Sequence, residues 1–191
     1  MAMLNREQID SMGFAYVGEG AQISDRASFY GLSRISIGDH SRIDDFCVLS
    51  AGAGGIVIGR HVHVAVYSSL IGAGRIELDD FCNLSSRVSI YSSSDDYSGH
   101  SMTNPTVPEQ FTGVEHADVV LGRHVIVGSG SVILPGVNLY EGVAIGALSL
   151  VRSSCEAFGL YAGHPLKRLK SRSRDLLVKE SAFLASKMVK G

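Results

Sequence analysis

Tryptophan is absent from this chain, proline is limited to four residues, and the three cysteines form no CxxC pair. An odd, scattered set of cysteines is a poor disulfide framework. An excess of one charge is also missing. The formal net charge of −2 argues against non-specific binding to nucleic acid or to an anionic membrane. No apolar run reaches transmembrane length, and Met1 to Asp10 hold no apolar signal-type segment, so the expected compartment is the cytoplasm. What is present is a globular composition, with 45% apolar residues and 22 glycines. The 191 residues suit one domain, or one domain with a small appendage.

The dominant pattern is a six-residue beat. An aliphatic residue recurs every sixth position, usually followed by Gly, Asp or Ser. Ile37 and Ile43 carry it, then Ile58, Val64 and Leu70. The longest clean run is Leu121, Val127, Ile133, Leu139, Ile145 and Val151. Neither a helix nor an alternating strand has this period, so the repeat sets the architecture. Three short strands joined by tight corners make one triangular coil, with the aliphatic residues inside and like positions stacked from coil to coil. Cys47 and Cys82 fall at the fifth position of their hexads, with Ser41, Val62, Ser68, Val88 and Val125. A small residue suits a narrow interior there, and free Cys behaves as a small buried hydrophobe.

Coils start at Val17, Ile37, Ile58, Leu78, Leu121 and Leu139, with successive lengths of 20, 21, 20, 43 and 18 residues. Three undecorated hexads need 18. The extra residues sit in the last third of each coil, around Gly31 to Arg34, Gly52 to Gly55 and Gly72 to Arg75. The fourth coil's excess leaves from the same edge as a loop of roughly Asp95 to His116. It holds Asp95, Asp96, Tyr97, His100, Asn104, Pro105, Pro108 and His116. Long loops in compact repeat domains are usually functional or disordered.

The ends differ from the middle. Asn5 to Met12 reads as a short helix, with Asn5 as N-cap, Gln8 completing a capping box and Gly13 as the stop. After Val151 the beat ends. Tyr161 to Lys167 reads as a turn, and a helix is expected from about Leu169 to Met188, with Leu176, Leu177, Leu184 and Met188 on one stripe. Helical caps suit the open ends of a solenoid. The division is thus 1–16 as N-terminal cap, 17–160 as the solenoid with loop 95–116, and 161–191 as closing turn and helix.

The hexads, the loop and the closing Ala162-Gly-His-Pro-Leu-Lys167 together resemble the hexapeptide-repeat acyltransferases. The resemblance covers about Val17 to Lys170. Ser89 to Ser98 with Thr103 to Pro108 looks more specifically like acetyltransferases of bacterial surface-polysaccharide pathways, including those acting on dTDP-4-amino-4,6-dideoxy sugars. The resemblance implies a left-handed parallel β-helix solenoid, all-β apart from its caps. It also implies a homotrimer with active sites between subunits, acetyl-CoA as donor, a sugar or nucleotide sugar as acceptor, and no metal.

Matched motif to motif, Ser129 and Ala147 fall on small residues that contact the pantetheine arm. Arg152, Lys167 and Lys170 fall on positions that meet the CoA phosphates, which require cations. Read from the residues alone, those three also suit a solvated basic cap, since Arg168, Arg172 and Arg174 lie beside them.

Sugar O-acetyltransferases of this family carry a catalytic His in the loop, and counting hexads from Leu78 places Asp95 there. An ordinary Asp, with a pKa of ~3.9, is a poor base for a hydroxyl at neutral pH. An amine acceptor is nucleophilic once neutral, and a carboxylate can position it and accept its proton. Asp95 therefore favours N-acetylation over O-acetylation. His63 is the alternative base, on a polar outward column with Arg42 and Asn83. Asn83, Ser85, Arg87 and Tyr97 are candidate sugar contacts. His40, His61 and His124 share a corner position, which suggests turn chemistry. Asp44, Asp45, Asp79 and Asp80 also recur at corners and read as structural. A metal-dependent hydratase of the γ-carbonic-anhydrase type needs convergent His ligands, which His61 and His63, two residues apart, supply poorly. A non-enzymatic solenoid is the third reading.

Overall fold

The computed structural model describes residues 2–188, with only the backbone of Met188. Three parallel sheets form the sides of a solenoid. The first contains Tyr16–Val17, Ile35–Ile37, Ile56–Ile58, Ile76–Leu78, Val119–Leu121 and Asn138–Leu139. Val17 pairs with Ile37, Ile37 with Ile58, Ile58 with Leu78, Leu78 with Leu121, and Leu121 with Leu139. All six expected coil starts are therefore in register. The ladder is held by one repeated bond. The N–H after each aliphatic residue reaches the carbonyl of the next coil's start, as in Gly38 to Ile58 and Gly59 to Leu78, both 2.7 Å.

The interior is a stack of aliphatic side chains, among them Ile43, Val64, Leu84 and Val127 on the second side and Leu49, Leu70, Ile90 and Ile133 on the third. All eight are fully buried. Each contributes roughly 1.5–3 kcal/mol through burial. The fifth positions are buried as expected. Cys47 and Cys82 donate their thiols to the carbonyls of Ala65 and Gly122, each at 3.2 Å. Burial pushes the Cys47 thiol up to about 11 and that of Cys82 to about 12.

The fourth positions form the corners. His40, His61, Phe81 and His124 all have φ between 56° and 62°, as do non-glycine residues at other corners. That conformation costs an L-residue on the order of 1–2 kcal/mol. Stacking offsets part of it, with ring centroids 4.9 Å apart for His40 and His61, 5.3 Å for His61 and Phe81, and 5.0 Å for Phe81 and His124. The corner histidines are turn residues, as their position implied.

The N-terminal helix α1 spans Arg6–Met12, with the expected Asn5 and Gln8 capping box and Gly13 in the left-handed region at φ 84°. The C-terminal end departs from expectation. Lys167–Ser171 is a strand, antiparallel to Gly159–Ala162, and helix α2 begins only at Asp175 and ends at Met188. The last coil's open edge demands hydrogen-bond partners, and this strand supplies them where a helix cannot. Helix α2 lies instead against the stacked corner rings. Glu180 pairs with Arg123 and His124, and Phe183 packs edge-on to His61 at 5.2 Å. Leu176, Glu180 and Phe183 line its contact with the corner rings, and of the expected stripe Leu176, Leu177, Leu184 and Met188 only Leu176 is shown there. Leu184 is exposed, and the Met188 side chain lies outside the described residues. No helix among the described residues is long and apolar enough to cross a membrane.

The burial of Cys47, Cys82 and Cys155 gives a direct test. In the native protein at pH 8 a thiol reagent should modify none of the three at an appreciable rate. All three should react at once in denaturant, as read by release of a chromogenic thiol.

Candidate active site

The long excursion leaves the third side of the solenoid after Ser89–Tyr91. Its base is clamped by a two-stranded antiparallel ribbon in which Ser93 pairs with His116 and Ser94 with Glu115. Ser93 Oγ lies 2.8 Å from His116 Nδ1 and also accepts the N–H of Ala73 at 2.7 Å. Asp96 shapes the next turn by accepting the N–H groups of Ser98 at 2.7 Å and Ser101 at 2.8 Å. Those hydrogen bonds, chiefly from Ser98, hold its carboxyl below the ordinary range. The neighbouring acid is thus committed to loop geometry.

Asp95 is not. Its side chain is exposed and its carboxylate has no hydrogen-bond partner among the described residues. It lines two spaces. One is a cavity of about 700 Å³ under the loop, walled by Ile71, Pro105, Val107, Pro108 and Val114. The other, of about 140 Å³, is shared with Asp96, Tyr97 and Thr103. Ile71, Ser93, Ser94 and Glu109 were not among the sequence candidates. The signal available for the serines was their place at the loop's root, where any long excursion must close.

His63 sits elsewhere, on the second side. Its Nε2 is 2.9 Å from Asp44 Oδ2 and its Nδ1 is 3.1 Å from Asn83 Oδ1. Arg42 Nε donates to the other Asp44 oxygen at 2.6 Å. Burial raises the Asp44 carboxyl, but the His63 and Arg42 bonds outweigh it and the net shift is downward. Both His63 nitrogens thus lie within hydrogen-bond distance of groups of its own chain. The structural reading of Asp44 holds. So does that of Asp80, which accepts the Arg60 N–H at 2.7 Å.

The candidate sugar contacts divide into two groups. Asn83 belongs to the His63 network and Ser85 follows it. Arg87, at the next corner, stacks over Tyr67 at 5.4 Å. Tyr97 stays with Asp95 on the loop. Neither of the two spaces that Asp95 lines includes His63. His61 and His63 also occupy separate neighbourhoods, one in the ring stack and one in the Asp44 network.

The candidate donor contacts do assemble along one edge. Ser129 and Ala147 are exposed on adjacent corners, joined by the Leu148 N–H to the Ser129 carbonyl at 2.9 Å. The closing turn stacks next, with the Gly163 N–H on Ser149 Oγ at 2.9 Å. Beside it lies a cleft of about 320 Å³ lined by Leu150, Arg152, Ser153, His164, Pro165 and Leu166, with no carboxylate in its wall. In the adjoining strand Lys167 pairs with Ala162 and Lys170 with Leu160, across an irregularity in register. Residues two apart on a strand share a face, so this irregularity brings Lys167 and Lys170 to the same side. Small exposed corners leading to a carboxylate-free cleft lined by Arg152 are compatible with an extended thiol carrier ending in phosphates.

No family model matches the chain. It is 54% identical over 186 residues to the dTDP-4-amino-4,6-dideoxy-D-glucose acyltransferase of Escherichia coli, covering 97% of each protein. It is also 30% identical over 129 residues to a putative lipopolysaccharide biosynthesis O-acetyl transferase of Escherichia coli, covering 66% of this chain and 63% of that one. AntD, an N-acyltransferase from Bacillus cereus, superposes with a TM-score of 0.93 at 41% identity, covering 97% of this chain and 100% of that one. It was solved as an aspartate-to-asparagine variant in complex with dTDP and coenzyme A. The fold and site define a hexapeptide-repeat acyltransferase. Within that class, the chain belongs to the family of N-acyltransferases that includes the Escherichia coli dTDP-amino-sugar enzyme and AntD.

The Asp44 network generates a pH prediction. A carboxyl lowered on folding contributes stability above its unfolded value of 3.8, and that stability is lost as pH falls below it. The urea midpoint of the wild type should fall steeply below about pH 4. Asp44→Asn should cost about 1–3 kcal/mol at pH 7 and flatten the acid limb. An unchanged acid limb in the variant would remove Asp44 from the account.

Proposed function

We propose that the protein transfers an acetyl group from acetyl-CoA to the amino group of a dTDP-linked 4-amino-4,6-dideoxy sugar. The product serves the assembly of surface polysaccharide, O-antigen or capsule, and the reaction takes place in the cytoplasm. The observation that carries this reading is the unpartnered carboxylate of Asp95 at the loop position where sugar O-acetyltransferases of the family use His. The named activities of the Escherichia coli relative and of AntD support it.

Asp95 holds the amine and takes its proton as the nitrogen attacks the thioester carbonyl. The carbon–sulfur bond then breaks and the CoA thiolate leaves. Arg152, Lys167 and Lys170 hold the donor's phosphates, and Ser129 and Ala147 leave room for its arm. The active unit is a homotrimer with sites between subunits. Two features support this assembly. The corner residues Phe46, Tyr67 and Leu148 are 44%, 52% and 78% exposed, large apolar side chains still in contact with solvent although Arg26 and Arg87 lie over the two rings. The group of His63, Asn83, Ser85 and Arg87 is separate from Asp95 within one chain, and a neighbouring subunit is the means of bringing the two together. His63 is the alternative base, brought to the acceptor by the neighbouring subunit. Light scattering should return three times the 20.3 kDa chain mass. A monomer would overturn the assembly.

The decisive assay follows thiol release from acetyl-CoA with dTDP-4-amino-4,6-dideoxyglucose. Asp95→Asn should lower kcat by roughly 10²–10⁴-fold. Arg152→Ala should chiefly raise KM for the donor, because it removes binding shared by ground and transition states. Full turnover by Asp95→Asn would sink the role given to Asp95. Turnover of a 4-hydroxy sugar in preference to the amine would restore the O-acetyltransferase reading.

A further inference from the structure

Helix α2 crosses the corner between the first and second sides and ties together coils that the ladder does not pair directly. Just before it, Arg172 donates to the carbonyls of His124 at 2.9 Å and Gly142 at 3.0 Å. Glu180 then accepts from Arg123 and from His124 Nε2, the latter at 2.8 Å. Phe183 packs edge-on to His61, and Lys187 Nζ lies 3.3 Å from His61 Nε2. The segment therefore runs from the coil that starts at Leu139 back to the one that starts at Ile58. In a solenoid each coil otherwise contacts only its neighbours, so such a strap couples distant coils.

The two ends of this strap respond differently to a proton. The Glu180 carboxylate is an acceptor, so His124 Nε2 donates to it, and it can do so whether its ring is neutral or charged. An ammonium group has only donors, so Lys187 can bond to His61 only through a ring nitrogen that carries no proton. A protonated His61 would set two cations 3.3 Å apart. The other groups facing it do not relieve this. His40 stacks on one side of its ring and Phe81 on the other. Arg60 adds a second positive charge, and Asp80, the opposing anion, is already paired with Arg60 at 2.7 Å. Lys179 and Glu180 line the same space, where Arg123 and His124 hold Glu180. Burial, then Lys187, His40 and Arg60, keep the His61 imidazole below its ordinary value, with Asp80 opposing them. We infer that α2 is a strap with one acid-resistant pin and one acid-released pin: a proton on His61 frees the 183–187 end from the ring column, while Glu180 keeps the first half of the helix docked.

Amide hydrogen exchange of the full-length protein, corrected for the intrinsic pH dependence of exchange, tests this between about pH 8 and about pH 5, the range in which an imidazole takes up its proton. A base held below its ordinary value of 6.5 only while the strap is docked leaves docking unaffected above that value and weakens it below. Protection of 183–187 should therefore be level above pH 6.5 and fall by up to about tenfold per pH unit beneath it, the limit for one proton. Protection of 179–182 should stay level throughout. His61→Phe keeps a ring at a corner position that Phe81 already fills in the next coil, and its 183–187 protection should not respond to pH over this range. Lys187→Met keeps His61 and removes the opposing charge, so its fall should be shallower than the wild type's; this variant decides the matter if His61→Phe lowers the thermal midpoint. Level protection of 183–187 in the wild type would overturn the acid-released pin, as would equal loss from both halves of the helix. A fall as steep as the wild type's in folded His61→Phe, or in Lys187→Met, would do the same.

Discussion

The structure depends on a hydrogen-bond ladder that closes only between coils. Many of its strands are two residues long and could not stand alone. Each survives because its N–H and C=O groups meet those of equivalent residues about twenty positions away. Register follows from this, since a slip of one residue would turn Ile43, Val64 and Leu84 outward together. Columns follow from register. Residues far apart in sequence, such as Arg42, His63, Asn83 and Ile126, become neighbours at a fixed spacing. A column can carry chemistry as readily as it carries packing.

The same ladder restricts where variation can occur. An insertion within a strand would break register with the coils on both sides, whereas one at a corner need not. Corners between the first and second sides and between the second and third stay tight, and their strained fourth positions are tied down by stacking. The third corner, between Ser69–Gly72 and Ile76–Leu78 and at equivalent places, accepts additional residues in successive coils. The excursion of 95–114 grows from that tolerance. Its rigidity at the root comes from the ribbon of Ser93 and Ser94 with Glu115 and His116. Asp96 then fixes the first turn, and Asp95 is held next to a shaped turn with its own carboxylate uncommitted.

Much of the fold was legible because its signals are periodic or local. The aliphatic beat gave six coil starts, from Val17 to Leu139, and missed the further turn in which Cys155 bridges to Leu139 and Gly159–Ala162 joins the second side; the fifth-position Cys and Ser gave the narrow interior. Asn5, Gln8 and Gly13 gave α1. The C-terminal segment was misread because a tertiary demand decides it. Lys167–Ser171 has no strand signal of its own and becomes one to cover the edge of Gly159–Ala162. The docked face of α2 was missed for a related reason. Its anchor is Glu180, a charge that no apolar stripe reveals, and its partners Arg123 and His124 lie on a corner 56 and 57 residues away. At the site, hexad counting reached Asp95. It could not show that Asp96 is committed to the turn or that Ile71 walls the adjoining cavity, because both depend on how the loop folds back.

The separation of binding from chemistry follows from these constraints. Ser129, Ala147 and the closing turn lie on the undecorated stretch, where corners are small and evenly stacked. An extended carrier needs such a straight, uninterrupted edge, and any insertion there would obstruct it. The acceptor needs the opposite: an enclosed, individually shaped space that a regular prism face does not provide. The loop from the tolerant corner encloses such a space, lined by Asp95, Asp96, Tyr97 and Thr103. On the proposed assignment, acceptor specificity varies through residues such as Tyr97 and Thr103 without disturbing the edge assigned to the donor.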